Sequence, residues 1–149
     1  MATVEVTFTP LPVHVRTARL VATAVARRSG VAESLLDEVR LAVGEACSRA
    51  VEAHQRHCPA EPIRVALTDD GEQFQVVVSD AVPGSERDLP AGPGLMARGQ
   101  PAGDGSIPLR LPDDVGLAVI VGLADDVRIG PAGLGNSVTM IWKRRSPVL

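Results

Sequence analysis

Leu36-Asp37-Glu38-Val39-Arg40-Leu41-Ala42-Val43-Gly44-Glu45-Ala46-Cys47-Ser48-Arg49-Ala50-Val51-Glu52-Ala53-His54 is the stretch that decides how this chain folds. Apolar residues recur every three or four positions (Leu35, Leu36, Val39, Ala42, Val43, Ala46, Cys47, Ala50, Val51), which predicts a helix with one dry face. Glu38, Glu45, Arg49 and Glu52 form a row along its border, because residues three and four apart stack on a helix surface. A carboxylate with a guanidinium one turn later, on a rigid and half-dry helix, is the chemistry to be explained.

Outward from this stretch, the helix is expected from about Glu33 to about His57, where Pro59 stops it. Before it, Val13 to Arg28 reads as a second helix closed by Ser29-Gly30, with Gly30 as a left-handed cap and Arg27 and Arg28 at the negative end of the dipole. Thr3 to Thr9 alternates Val4, Val6 and Phe8 with polar residues, a half-buried strand ended by Pro10 and Pro12. Ile63–Leu67 and Phe74–Val78 form a hairpin across Asp69-Asp70-Gly71. Ser85 to Pro112 is rich in Gly and Pro and lacks a period, as functional or disordered loops do. Asp113-Asp114 offers an N-cap to a short apolar helix, Val115 to Leu123. Val127–Ile129 and Val138–Trp142 close the chain as a strand pair across Gly130 to Gly135, and Lys143-Arg144-Arg145 is a solvated tail. This order predicts an α+β two-layer sandwich, a mostly antiparallel sheet with helices on one face.

The 149 residues suffice for a single domain spanning 1–149 with its own core. Hydrophobic residues make up 45% and aromatics only 2%, so that core is built from Val, Leu, Ile and Ala. A net charge of −3 and the absence of Tyr argue against direct nucleic-acid binding, which calls for a basic face and aromatic platforms. No signal peptide, lipidation motif or membrane-length apolar run is present, so a cytoplasmic protein with reduced thiols and no membrane partner is expected. Lys143 is the sole lysine and follows no glycine loop, which excludes P-loop chemistry.

Several residues have an ordinary reading and a chemical one. Cys47 lies on the apolar helix face, where a thiol is a small hydrophobe and a poor nucleophile. His54, His57 and Cys58 hint at a metal, but with only His14 besides, a ligand set is lacking and no metal is expected; helix-end capping explains them. Asp125-Asp126 cap the start of a strand. Glycines between Gly92 and Gly105 are interrupted by prolines and precede no helix, so they make a weak phosphate cradle. Asp80, following Val76-Val77-Val78, is either a turn former at a strand end or a carboxylate presented to a ligand.

Three segments in order and register carry a resemblance: Asp37 to His54, Val78-Ser79-Asp80-Ala81-Val82-Pro83-Gly84, and Val115-Gly116-Leu117-Ala118-Val119-Ile120-Val121-Gly122-Leu123-Ala124-Asp125-Asp126-Val127. Together they resemble the GHKL ATPase fold in its small bacterial form, the anti-sigma-factor protein-serine kinases. The resemblance implies that Glu45 is the base toward an attacking hydroxyl and that Asp80 receives the adenine amino group. It likewise makes Gly84 the second glycine after that aspartate, has Gly116 and Leu117 open the lid helix, and makes Ser85 to Pro112 the lid over a triphosphate. Its implied partners are a sigma factor and an anti-sigma antagonist protein bearing a serine, and its implied assembly is a homodimer.

The chain departs from that pattern at three places. Arg49 stands where the resemblance places a metal-holding asparagine, and a guanidinium has no acceptor with which to ligate a cation. At about 5 Å from Mg²⁺ the repulsion is roughly 7 kcal/mol at an effective dielectric of about 20, before phosphate charge offsets it. Val82 replaces the first glycine after Asp80, and Asp114 stands where a lid glycine is preferred. Arg49 either pairs with Glu45 one turn earlier, worth about 0.2–0.5 kcal/mol, or donates directly to phosphate so that ATP binds without Mg²⁺. The expectation is a partner-switching regulator of the anti-sigma type with a degenerate ATP site. Its alternatives are an active ATP-dependent protein-serine kinase and a binding module for another small molecule.

Overall fold

The computed structural model describes residues 2–83 and 111–143. Five strands, β1 (Ala2–Phe8), β2 (Ile63–Asp69), β3 (Gln73–Ser79), β4 (Asp126–Ala132) and β5 (Gly135–Lys143), form one antiparallel sheet in the order β1-β2-β3-β5-β4. Three helices, α1 (Pro12–Arg28), α2 (Glu33–His57) and α3 (Leu111–Leu123), complete the order β1-α1-α2-β2-β3-α3-β4-β5. No helix of the described residues is long and apolar enough to cross a membrane.

Register explains which face of the sheet is dry. Val6, Val65, Val78 and Val138 lie side by side across β1, β2, β3 and β5, and Val4, Leu67, Val76, Met140 and Val127 form the next such row. Because side chains alternate along a strand, both rows share one face, and the helices cover it. Thr7, Arg64, Ser79 and Ser137 form a row on the other face. The helix layer packs α2 between α1 and α3, with Val39, Ala42, Val43, Ala46, Cys47, Ala50 and Val51 all buried. Small side chains dominate that seam. At Gly44 an added Cβ would stand 2.6 Å from Arg19 Cδ, so the glycine is what lets the arginine stem lie across α2.

Helix ends follow local chemistry. Pro12 occupies the first turn of α1, where its missing N–H is no loss, so this helix begins one residue before the periodicity does. Its far end is a Schellman closure: Gly30, at φ +87°, donates to Arg27 O and Val31 N–H donates to Ala26 O, with Val31 buried behind it. The expected bounds of α2 coincide with the observed ones. The expected start of the last helix does not. The helix α3 begins at Leu111, so Pro112 lies in its first turn, and Asp113 and Asp114 are helical residues instead of a cap preceding it. The lid-like loop read over 85–112 therefore loses its last two residues to α3, and its remainder, with Gly84, lies outside the described residues. At the other end of α3, the Trp142 indole donates to Leu123 O at 3.0 Å, tying the helix to β5.

Two outcomes follow. Ile120 of α3 is fully buried, so Ile120→Ala is expected to cost about 2–5 kcal/mol, measurable as a lower urea midpoint. In the β2–β3 turn, Glu72 and Gln73 N–H both donate to the Asp70 carboxylate at 2.9 Å, which holds its pKa below the usual carboxylate range. A lowered folded-state pKa means this contribution is present above the ordinary range and is lost as pH falls through the lowered value. Protection of the Glu72 and Gln73 amides, measured against the intrinsic exchange rate at each pH, is thus expected to fall on acidification and to stay level in Asp70→Asn.

Candidate functional site

The border row of α2 is graded in depth: Glu38 and Glu45 are half-buried, Arg49 is only 9% exposed, and Glu52 faces water. What shields Glu45 and Arg49 is α3. Gly116 sits so close that an added Cβ would collide with Glu45 Oε2, and it would lie 3.3 Å from Arg49 Cδ. A glycine at this position is what allows α3 to seat over both side chains. Gly116 is the sixth residue of α3 instead of its opening residue, and Leu117 beside it is 3% exposed and turned into the core.

The second part of the site is the strand-end loop after β3. Asp80 N–H donates to Asn136 O, continuing the β3–β5 ladder by one rung. Its carboxylate Oδ1 accepts N–H groups from Val82 at 2.9 Å and Asn136 at 3.2 Å. The buried Asn136 amide in turn donates to Val82 O at 3.1 Å. Gly135 lets β5 pass flush against this loop, since a Cβ there would run into the Asp80 carbonyl and Ala81 Cα. Val82, at the position read as a glycine counterpart, is fully buried. From the helix layer, His54 reaches across: Ala81 N–H donates to its Nε2 at 3.0 Å, and Glu61 O accepts from its Nδ1 at 2.8 Å. On the open side, Asp80, Ala81, Ser79, Arg64, Thr7 and Glu61 are among the residues lining a cleft of about 360 Å³.

Arg49 can only donate, and no group of three His, Cys, Asp or Glu side chains converges among the described residues. His54, read in the sequence with His57 and Cys58, has both ring nitrogens engaged by backbone. Nor is Cys47 a nucleophile: burial pushes its thiol up to about 12, against the opposing pull of the Arg19 charge. His54, read in the sequence as a helix-end cap, instead bonds Glu61 O and Ala81 N–H, and Asn136 is a residue that sequence reasoning did not place. For His54 a signal existed, because Cys47, Ala50 and His54 recur at helical spacing on the dry face; for Asn136, whose partners lie more than fifty positions earlier, none did.

Residues 8–142 match the family model of the histidine kinase-like ATPase domain. No curated protein matches the chain by sequence. Among solved structures, the chain is similar to the crystal structure of the RsbU and RsbW domains of Rv1364c from Mycobacterium tuberculosis, with a TM-score of 0.65 and 19% identity. That likeness covers 96% of this chain, which spans 32% of the length of the other. It is a likeness of fold.

The two glycines give unequal obstacles and hence unequal costs. Gly116→Ala meets the mobile end of a carboxylate and is expected to destabilise by about 1–3 kcal/mol, whereas Gly135→Ala meets backbone and is expected to cost more. Urea unfolding of both variants checks the order. In a Cys58→Ala background, Cys47 is expected to react with a thiol reagent at pH 8 only after denaturant is added.

Proposed function

This chain belongs to the histidine kinase-like ATPase domain family, and on that premise we propose that it is a partner-switching regulator with a degenerate nucleotide site. It holds a sigma factor, an anti-sigma antagonist, or each in turn, as a cytoplasmic homodimer. The sequence resemblance to anti-sigma-factor protein-serine kinases supports this, as does the likeness of fold to a chain carrying an RsbW domain. The observation that carries it is Arg49: only 9% exposed, with its Cδ against Gly116 of α3, it stands at the position where the resemblance places a metal-holding asparagine.

Magnesium does not fit this donor set. A buried cation with no acceptor repels a second cation and cannot enter its coordination shell. Val82 is fully buried where the resemblance places a glycine, and the reading is that its branched side chain takes room which the glycine would leave to a ring. An adenine nucleotide is therefore expected to bind weakly and without help from magnesium. Any such binding would rest on Asp80 and on Arg49 donating to phosphate.

A second reading, an active protein-serine kinase acting on the antagonist, is favoured by one feature: Glu45 keeps a half-buried carboxylate on a rigid helix. Incubation with labelled ATP and the antagonist separates the two, since transfer by wild type but not by Glu45→Ala would establish the kinase.

Calorimetry with ATP and ADP, with and without magnesium, is expected to give the same weak affinity in both conditions. Arg49→Asn alone is expected to weaken it, because a phosphate donor is lost, and to bring no magnesium dependence, because Val82 remains. A magnesium-dependent gain in wild type would reject the degenerate site, and co-purification yielding neither a sigma factor nor an antagonist would reject the partner assignment.

A further inference from the structure

The three backbone amides of the strand-end loop are satisfied from three different directions. Asp80 N–H goes to β5, Val82 N–H goes to the Asp80 carboxylate, and Ala81 N–H goes to His54 on α2. Of these, the Ala81 bond is the one that reaches the helix layer. His54 is fully buried, and its second nitrogen is held by Glu61 O at the approach to β2. An amide N–H can only donate and a carbonyl can only accept, so the ring's state is fixed by its partners. Nε2 carries the lone pair, Nδ1 carries the proton, and the imidazole is neutral. Proton uptake at Nε2 would set two N–H groups against each other.

We propose that His54 is the positioning residue of this site: a neutral, Nδ1-protonated imidazole that fixes the Asp80–Val82 loop to α2. It follows Glu45 by nine residues and Arg49 by five on one unbroken helix, about 14 and 8 Å along the axis. The separation between Asp80 and the Glu45–Arg49–Gly116 contact is thereby set by a rigid strut ending in one hydrogen bond. Glu61 and Ala81, the two partners of the ring, are both among the residues lining the 360 Å³ cleft. A residue that merely filled space could be replaced by any side chain of like volume. This one has to present an acceptor at one end and a donor at the other. Its bearing on nucleotide binding rests on the reading of Asp80 as the ligand-facing carboxylate; its hold on the loop does not.

The test uses the full chain, wild type and the variants His54→Asn and His54→Gln. Asn keeps a short donor for Glu61 and loses the reach to Ala81, whereas Gln reaches Ala81 with a carbonyl acceptor. Nitrogen-15 spectra of the wild-type ring are expected to show the Nδ1–H tautomer. Ala81 amide exchange is expected to quicken on the order of tenfold in His54→Asn relative to the Val65 amide, the consequence of losing one buried acceptor, and to return near the wild-type rate in His54→Gln. An Nε2–H or doubly protonated ring, or Ala81 exchange unchanged in His54→Asn, would overturn the proposal. Titration with a fluorescent ADP separates this from the reading of the site. Affinity untouched by Asp80→Ala would reject Asp80 as a ligand group, while the exchange result decides His54 independently.

Discussion

Helix α3 lies close enough to α2 that only a glycine fits between them, and the residues it covers there are a carboxylate and a guanidinium. The rest of the structure is arranged around that contact. Removing a charged group from water costs several kcal/mol unless anions or acceptors surround it, so a buried Arg49 constrains everything packed near it. A cation introduced beside it meets repulsion from the guanidinium, which has no acceptor of its own. The fold of a histidine kinase-like ATPase domain is kept, and a positively charged side chain is buried at this contact.

The strand-end loop is under an equally tight regime, but of hydrogen bonds instead of charge. Asp80 spends one carboxylate oxygen on the backbone of its own loop and of β5. Asn136, Gly135 and His54 close the remaining sides, and Val82 points inward. A loop held from a strand, a helix and its own side chain is preorganised, and preorganisation favours whatever fits it while excluding what does not.

Much of this was legible in the sequence because it depends on short-range periodicity. The α2 stretch shows its dry face, its length and its stop at Pro59 without help from the rest of the chain. The β2–β3 turn is written in Asp69-Asp70-Gly71, with Gly71 at φ +93°. The start of α3 was misplaced because Pro112 and the two aspartates look like punctuation, whereas a first helical turn tolerates proline and welcomes acids. Gly116 and Leu117 were read as one functional pair, yet a helix sends neighbouring residues in different directions: one meets α2 and the other enters the core. The Asn136 and His54 contacts were least visible, since each joins segments tens of residues apart and neither residue type is diagnostic on its own.

Manganese reports a bound divalent ion directly, through paramagnetic broadening of nearby amide resonances. With ATP present in excess and manganese added in steps, the Glu45, Arg49 and Gly116 amides are expected to broaden no more than amides on the far side of the sheet, such as Thr3 and Thr68. Selective and saturable broadening at those three amides would show a metal seated beside Arg49, and would contradict its exclusion.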